Sequence, residues 1–150
     1  MSKCDSKLNS KLNSKLNSKL NSKFDYFIGI DTGRYSNVAV MIDSQGNKMQ
    51  SLRFSNDKKG FSLLIDSISG KETNSVIGIE VAGICSNILI NRLSENGFTI
   101  KPIMPINIMR HKDYFTQNLK NDEYDAFIIA DYLRLRYNHI KNLDIITSKT

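Results

Sequence analysis

Four carboxylates sit where an ordinary folded core would not put them. Asp31 closes the apolar run YFIGID at residues 26–31, which otherwise reads as a buried strand, and Glu80 stands near the end of a second such run, SVIGIEV at 75–81. In KNDEYDAFIIADYLRLR, Asp122 and Asp125 are three residues apart and share one face of a helix. That face continues through Ala126, Ile129 and Leu133, so the two acids lead a stripe that must be buried, where an uncompensated charge is costly. Taken singly, each has a structural explanation. Asp31 can accept hydrogen bonds in the DTG turn, Glu80 can cap a helix after Gly83, and one of the aspartates can serve the helix dipole. Taken together, four carboxylates at one place would repel and take up protons unless divalent cations neutralised them. No lysine or arginine in these strands is placed to do so. An oxygen-only set without His or Cys selects Mg²⁺ or Mn²⁺ over zinc. Two such ions roughly 4 Å apart can stabilise both the entering and the leaving oxygen of a phosphodiester.

The elements that must position these residues can be read in order. YFIGID (26–31), SNVAVMID (36–43) and NKMQSLRF (47–54) predict three short strands joined by turns at TGRY and SQG. Phe61, Leu64, Ile65 and Ile68 recur at helical spacing, and SVIGIEV returns to strand. SNILINRLSEN predicts a helix ended by Gly97. FTIKPI predicts a fifth strand stopped by Pro102 and Pro105, and a last helix spans about 121–137. A three-stranded meander followed by helix, strand, helix, strand, helix is the order of a ribonuclease-H-like α/β domain, a mixed five-stranded sheet with helices on both faces. In that topology the first and fourth strands are central neighbours, so Asp31 and Glu80 converge at one sheet edge. Actin-like ATPase domains open with the same order and a similar GIDTG turn, but they require a second such domain, for which 150 residues leave no room.

A chain of 150 residues with 40% apolar content suits one core. The formal charge of +6 is concentrated at the start, where residues 1–23 carry six lysines against Asp5. This stretch, SKLNSKLNSKLNSKLNSK, repeats every four residues, so a helical leucine stripe would drift by roughly 40° per repeat. Its composition predicts a disordered basic tail, with a nucleic-acid-binding arm as the alternative. The catalytic domain is then 24–137, with 138–150 a C-terminal tail or the start of a linker. Isolated leucines make no secretory core and no run approaches membrane-spanning length, which predicts a cytoplasmic protein with no membrane partner. Cys4 and Cys85 are far apart and read as free thiols.

From about Phe27 to Arg136 the sequence resembles the N-terminal domain of the insertion-sequence 110 family of transposases, which includes the Piv-type DNA invertases. The resemblance rests on GID at 29–31, FSNDKKGF at 54–61, IEVAG at 79–83, MP at 104–105 and KNDEYDA at 120–126. It implies that the family's Asp-Glu-Asp-Asp tetrad, shared with RuvC-type junction resolvases, falls on Asp31, Glu80, Asp122 and Asp125. Ala82, Cys85 and Asn121 depart from the family's usual residues. Members also carry a C-terminal domain with a nucleophilic serine, and nothing after Arg136 resembles it. The sequence is therefore expected to be a truncated or stand-alone transposase domain acting on DNA by metal-dependent cleavage and transfer. The alternatives are a RuvC-like structure-selective nuclease or a non-catalytic nucleic-acid-binding remnant. A guide RNA is a further candidate partner.

Arg34, Arg110, Lys112 and Lys120 are candidate phosphate contacts, whereas His111 is read as an exposed helix residue. Tyr124, Ile128, Asp131 and Leu135 form a second stripe on the far side of the last helix. Either the C-terminal segment with Ile140, Leu143, Ile145 and Ile146 covers it, or it is a surface for self-association or for the absent serine domain.

Overall fold

The computed structural model describes residues 24–80, 86–115 and 121–143. The basic repeat, the segment after Glu80, Lys120, Ile145 and Ile146 lie outside them. The strands are β1 Tyr26–Asp31, β2 Ser36–Asp43, β3 Lys48–Ser55, β4 Ser75–Glu80 and β5 Thr99–Ile103. The helices are α1 Lys58–Ile68, α2 Ser86–Glu95, α3 Pro105–Lys112 and α4 Asp122–Arg136, followed by a 3₁₀ turn at Tyr137–His139. The five strands form one sheet in the order β3-β2-β1-β4-β5. β1 is antiparallel to β2 and parallel to β4, with Gly29 opposite Gly78 and Ile30 opposite Ile79. β3 and β5 are the edges, antiparallel to β2 and parallel to β4 respectively. This is the expected mixed ribonuclease-H-like sheet with helices on both faces.

Strand alternation sorts the side chains into two layers. Ile28, Ile30, Ile77 and Ile79 face α1 and α2, against Phe61, Leu64, Ile68, Leu89 and Leu93. Phe27 and Val76 face the other way, against Ile108, Ala126, Ile129, Ala130 and Leu133 of α3 and α4. Gly29 and Asp31 share the face of Phe27, and Gly78 and Glu80 share that of Val76. Both glycines therefore lie under α4, and both carboxylates emerge just beyond it on the same side.

The glycines make this approach feasible. A methyl on Gly29 would fall on the Ala126 carbonyl oxygen and 2.5 Å from the Ala130 nitrogen. On Gly78 it would come within 2.6 Å of Ile103 Cδ1 and 3.2 Å of Leu133 Cδ2. Helix α4 thus rests against the backbone of β1, with Ala126 and Ala130 as the small residues at the contact. Its start is fixed by Asn121, whose side-chain oxygen accepts the Tyr124 N–H at 2.6 Å, the N-cap role expected of Asn or Thr.

Three expectations are corrected here. Pro102 does not stop β5 but lies within it, tolerated because an edge strand has one unpaired side. Pro105 begins α3, an element absent from the expected order although His111 is read as helical, at the first helical position where its missing N–H is harmless. The second stripe of α4 is only in part a free surface. Ile128 is fully buried and Asp131 nearly so, while Leu135 is exposed. Helix α3 packs on that side, with Tyr132 against the His111 ring. Ile140 also reaches this layer, whereas Leu143 joins the α1–α2 layer, its N–H bonded to the Ile100 carbonyl at 2.8 Å.

Candidate metal centre

Asp31 leaves the end of β1 on the α4 side, and the first turn of α4 delivers Asp122 and Asp125 to it. One carboxylate oxygen from each of the three lies within 4.8 Å of the others. Glu80 ends the neighbouring strand one register step beyond the Ile30–Ile79 pair. It adds its field to the cluster without joining this tight group.

The charges are imperfectly compensated. Asp31 is pushed up from 3.8 to about 7, first by burial and then by repulsion from Asp125, Asp122 and Glu80, with Lys112 opposing. Glu80 is likewise raised by burial and by Asp125, again against Lys112. The cations come from flanking elements. Lys112, at the end of α3, forms an ion pair with Asp125, and Arg53 of β3 lies 3.5 Å from the more exposed Asp122. Arg53 revises the expectation that no strand residue could neutralise the acids. It was foreseeable, because Leu52 and Phe54 alternate toward the α1–α2 layer and so turn Arg53 to the carboxylate face. Lys48 of β3 pairs with Glu123 one position along α4 and ties the same helix start to the sheet.

Among the residues expected to hold phosphates, Lys112 is at the cluster. Arg34 lies on the exposed β1–β2 turn, stacked on Tyr35 with its guanidinium carbon 5.4 Å from the ring centroid. Arg110 is exposed on α3. His111 corrects the sequence reading, because it is buried and not exposed. Its Nε2 lies 2.9 Å from Asp131 Oδ2, while Arg134 donates to Asp131 Oδ1 at 2.9 and 3.1 Å. Burial pushes the Asp131 carboxyl up, but the bonds from His111 and Arg134 outweigh it and hold the group below its ordinary value.

The donor set fits a hard divalent cation. It is three convergent carboxylates with a fourth adjacent, no nitrogen or sulfur among them, and burial together with their mutual repulsion raises Asp31 to about 7. No helix among the described residues is long and apolar enough to cross a membrane.

Comparison with known proteins agrees with this architecture. A RuvC from T. thermophilus, in complex with a Holliday junction substrate, superposes with a TM-score of 0.58 at 8% identity, over 79% of this chain and 99% of that one. A second structure of Thermus thermophilus RuvC gives 0.55 at 11% identity, with the same coverage. At such identities the likeness shows the fold. In sequence, the chain is 26% identical over 110 residues to an uncharacterized 44.8 kDa protein of insertion element IS116 from Streptomyces clavuligerus. That match covers 73% of this chain but only 27% of its relative. The family described as Transposase, the Asp-Glu-Asp-Asp type of IS110, matches residues 28–149, and the chain belongs to that family of transposases.

Proposed function

We infer that this chain is the metal-dependent catalytic domain of an insertion-element transposase, cleaving and transferring DNA strands at the centre formed by Asp31, Glu80, Asp122 and Asp125. The observation that carries the reading is the convergence of three of these carboxylates within 4.8 Å at the edge of a RuvC-like sheet. Asp31, Asp122 and Asp125 would hold Mg²⁺ or Mn²⁺ directly, with Glu80 supporting them. Bound there, a pair of such ions would supply Lewis-acid stabilisation of the entering and leaving oxygens of a phosphodiester. The chain's own residues have separate tasks. Lys112 and Arg53 balance part of the cluster's charge, and both are long enough to turn toward a DNA phosphate once cations take over that role. Arg34, on the turn that follows Asp31, meets the backbone beside the reacting bond. The chain matches about a quarter of its IS116 relative, so strand exchange by the whole protein would draw on segments beyond this domain.

The test is a divalent-ion titration read by thermal melting. A ligand specific to the native state stabilises it by about 2.7 kcal/mol at a hundredfold excess over its dissociation constant. Mg²⁺ or Mn²⁺ should therefore raise the melting temperature, and Asp122→Asn should remove most of the rise. Nicking of a labelled branched DNA should show the same dependence. Equal stabilisation of wild type and Asp122→Asn would refute the assignment.

A further inference from the structure

The β1–β2 turn, residues 32–35, is held more firmly than a surface turn requires. The Gly33 N–H donates to Asn37 Oδ1 at 3.1 Å, and Asn37, only 1% exposed, donates in turn to Asn56 Oδ1. The Asn56 amide donates to the Gly33 and Arg34 carbonyls at 2.6 and 3.1 Å, and its backbone N–H donates to the Tyr35 carbonyl at 3.2 Å. A polar lock anchored on one buried amide fixes the direction of the side chains it carries. Those side chains point outward, Tyr35 being 77% exposed with Arg34 stacked on its ring. Among the described residues no other ring packs on Tyr35, and its partner Arg34 is itself an exposed side chain on the same turn.

The turn forms a ridge. On one side, the α4 side, are Asp31 and the carboxylate cluster. On the other, between the turn and helices α1 and α2, is an open cleft of about 360 Å³. Arg34, Lys58 and Arg92 line it, over an apolar floor of Phe61 and Ile88, the latter 64% exposed. None of the three cations is ion-paired among the described residues. The one carboxylate at the cleft, Asp57, is engaged by the Gly60 N–H and the Ser55 hydroxyl, both at 2.7 Å. The cleft is therefore cationic along its walls and apolar beneath, with an aromatic face presented on its ridge.

We propose that this cleft and the Tyr35 ridge bind a single DNA strand as it runs from the carboxylate cluster to the α1–α2 face. Arg34, Lys58 and Arg92 take the phosphates, and an unstacked base lies on Tyr35. The inference rests on the DNA reading above. A single strand fits better than a duplex, because a duplex keeps its base faces stacked inside the helix, whereas an aromatic face and an apolar floor are matched by unstacked bases.

The experiment uses the full chain in EDTA and measures fluorescence anisotropy with a labelled oligothymidylate and with a blunt duplex of equal length. In Lys58→Ala/Arg92→Ala, the slope of log affinity against log salt for the oligothymidylate should fall by about 1.4, since each phosphate contact on a single strand contributes about 0.7. Tyr35→Ala should weaken oligothymidylate binding roughly ten- to hundredfold, the range for loss of one base stack, while Tyr35→Phe retains it. Duplex binding should change far less in both. Wild type that binds while neither variant differs from it would overturn the cleft and leave the DNA reading standing. Equal losses on the two probes would overturn the single-strand assignment. Failure of wild type to bind either probe would remove the DNA reading and this inference together.

Discussion

The raised Asp31 carboxyl makes the metal-free protein's stability depend on pH in a direction opposite to that of an ordinary salt-bridged acid. Below pH 3.8 the group is protonated in both folded and unfolded chains, and its contribution to stability is fully present. As the pH rises toward about 7, the unfolded chain releases the proton while the folded one keeps it, so stability falls until the folded group also ionises. A carboxyl held at about 7 instead of 3.8 corresponds to about 4 kcal/mol at ~1.4 kcal/mol per pH unit. The group is half-exposed, and solvent screening brings this to about 2 kcal/mol. In Asp31→Asn the penalty disappears, because the amide is neutral at every pH. Melting in EDTA should therefore show the variant close to wild type at pH 4 and roughly 6–10 °C above it at pH 8. Comparison with the variant cancels the opposite trend from Asp43, Asp57 and Asp131, whose carboxyls are held low. A saturating divalent ion inverts the order at pH 8, stabilising wild type and leaving the variant nearly unchanged. If Asp31→Asn is destabilised equally at both pH values, the account of Asp31 as a carboxyl raised by burial and by its acidic neighbours is wrong.

Two other perturbations probe the support and the surroundings of the site. Gly29→Ala places a methyl on the Ala126 carbonyl and should lift α4 from β1, costing about 3 kcal/mol in denaturant unfolding and weakening the Mg²⁺ response. A normal metal response in a folded Gly29→Ala protein would show that the close contact is not what positions Asp122 and Asp125. Deleting residues 1–23 removes six lysines, so the salt dependence of duplex binding, measured by titration at several salt concentrations, should flatten by up to about 5 in log–log slope. An unchanged slope would place the duplex contacts entirely on the folded domain.

The parts of the structure that were legible in the sequence are those set by local period. β1, β2 and β4 are short, near-continuous apolar runs buried on both faces, α1 and α4 carry their stripes, and the strand-terminal acids stand out because a charge interrupts such a run. What GID and GIE did not disclose alone was the role of their glycines, since only the packed helix shows that residues 29 and 78 must lack a side chain for the acids two positions on to meet α4. The start and packing of α3 are hard to read because it has only 8 residues between Met104 and Asp113, and its leading proline reads equally as a stop signal. The burial of His111 depends on Asp131, twenty residues later on another helix, and no local pattern encodes that partnership. The second stripe of α4 is ambiguous in sequence for the same reason. Unless a helix at His111 is known to pack against α4, Ile128 has no cover other than the C-terminal segment or another protein.

Helix α3 therefore joins two features that looked unrelated. Through His111 it is anchored to Asp131 in the middle of α4, and through the very next residue, Lys112, it reaches Asp125 in the first turn. Asp131 is held in turn by Arg134, whose guanidinium also lies 3.5 Å from the Ser44 carbonyl in the β2–β3 turn, so the anchor extends to the far end of the sheet. A lysine carried on an anchored helix keeps its charge within reach of the cluster, unlike one on a free surface loop. Lys112 pairs with Asp125 and also lowers Asp31 and Glu80, yet burial and the other acids outweigh it at both. The compensation supplied by the fold is thus directed at the α4 acids, where Lys112 meets Asp125 and Arg53 meets Asp122, and it falls short at the strand that carries Asp31. An added cation gains most at the place where the existing ones fail. That place is the oxygen-lined gap between β1 and the start of α4.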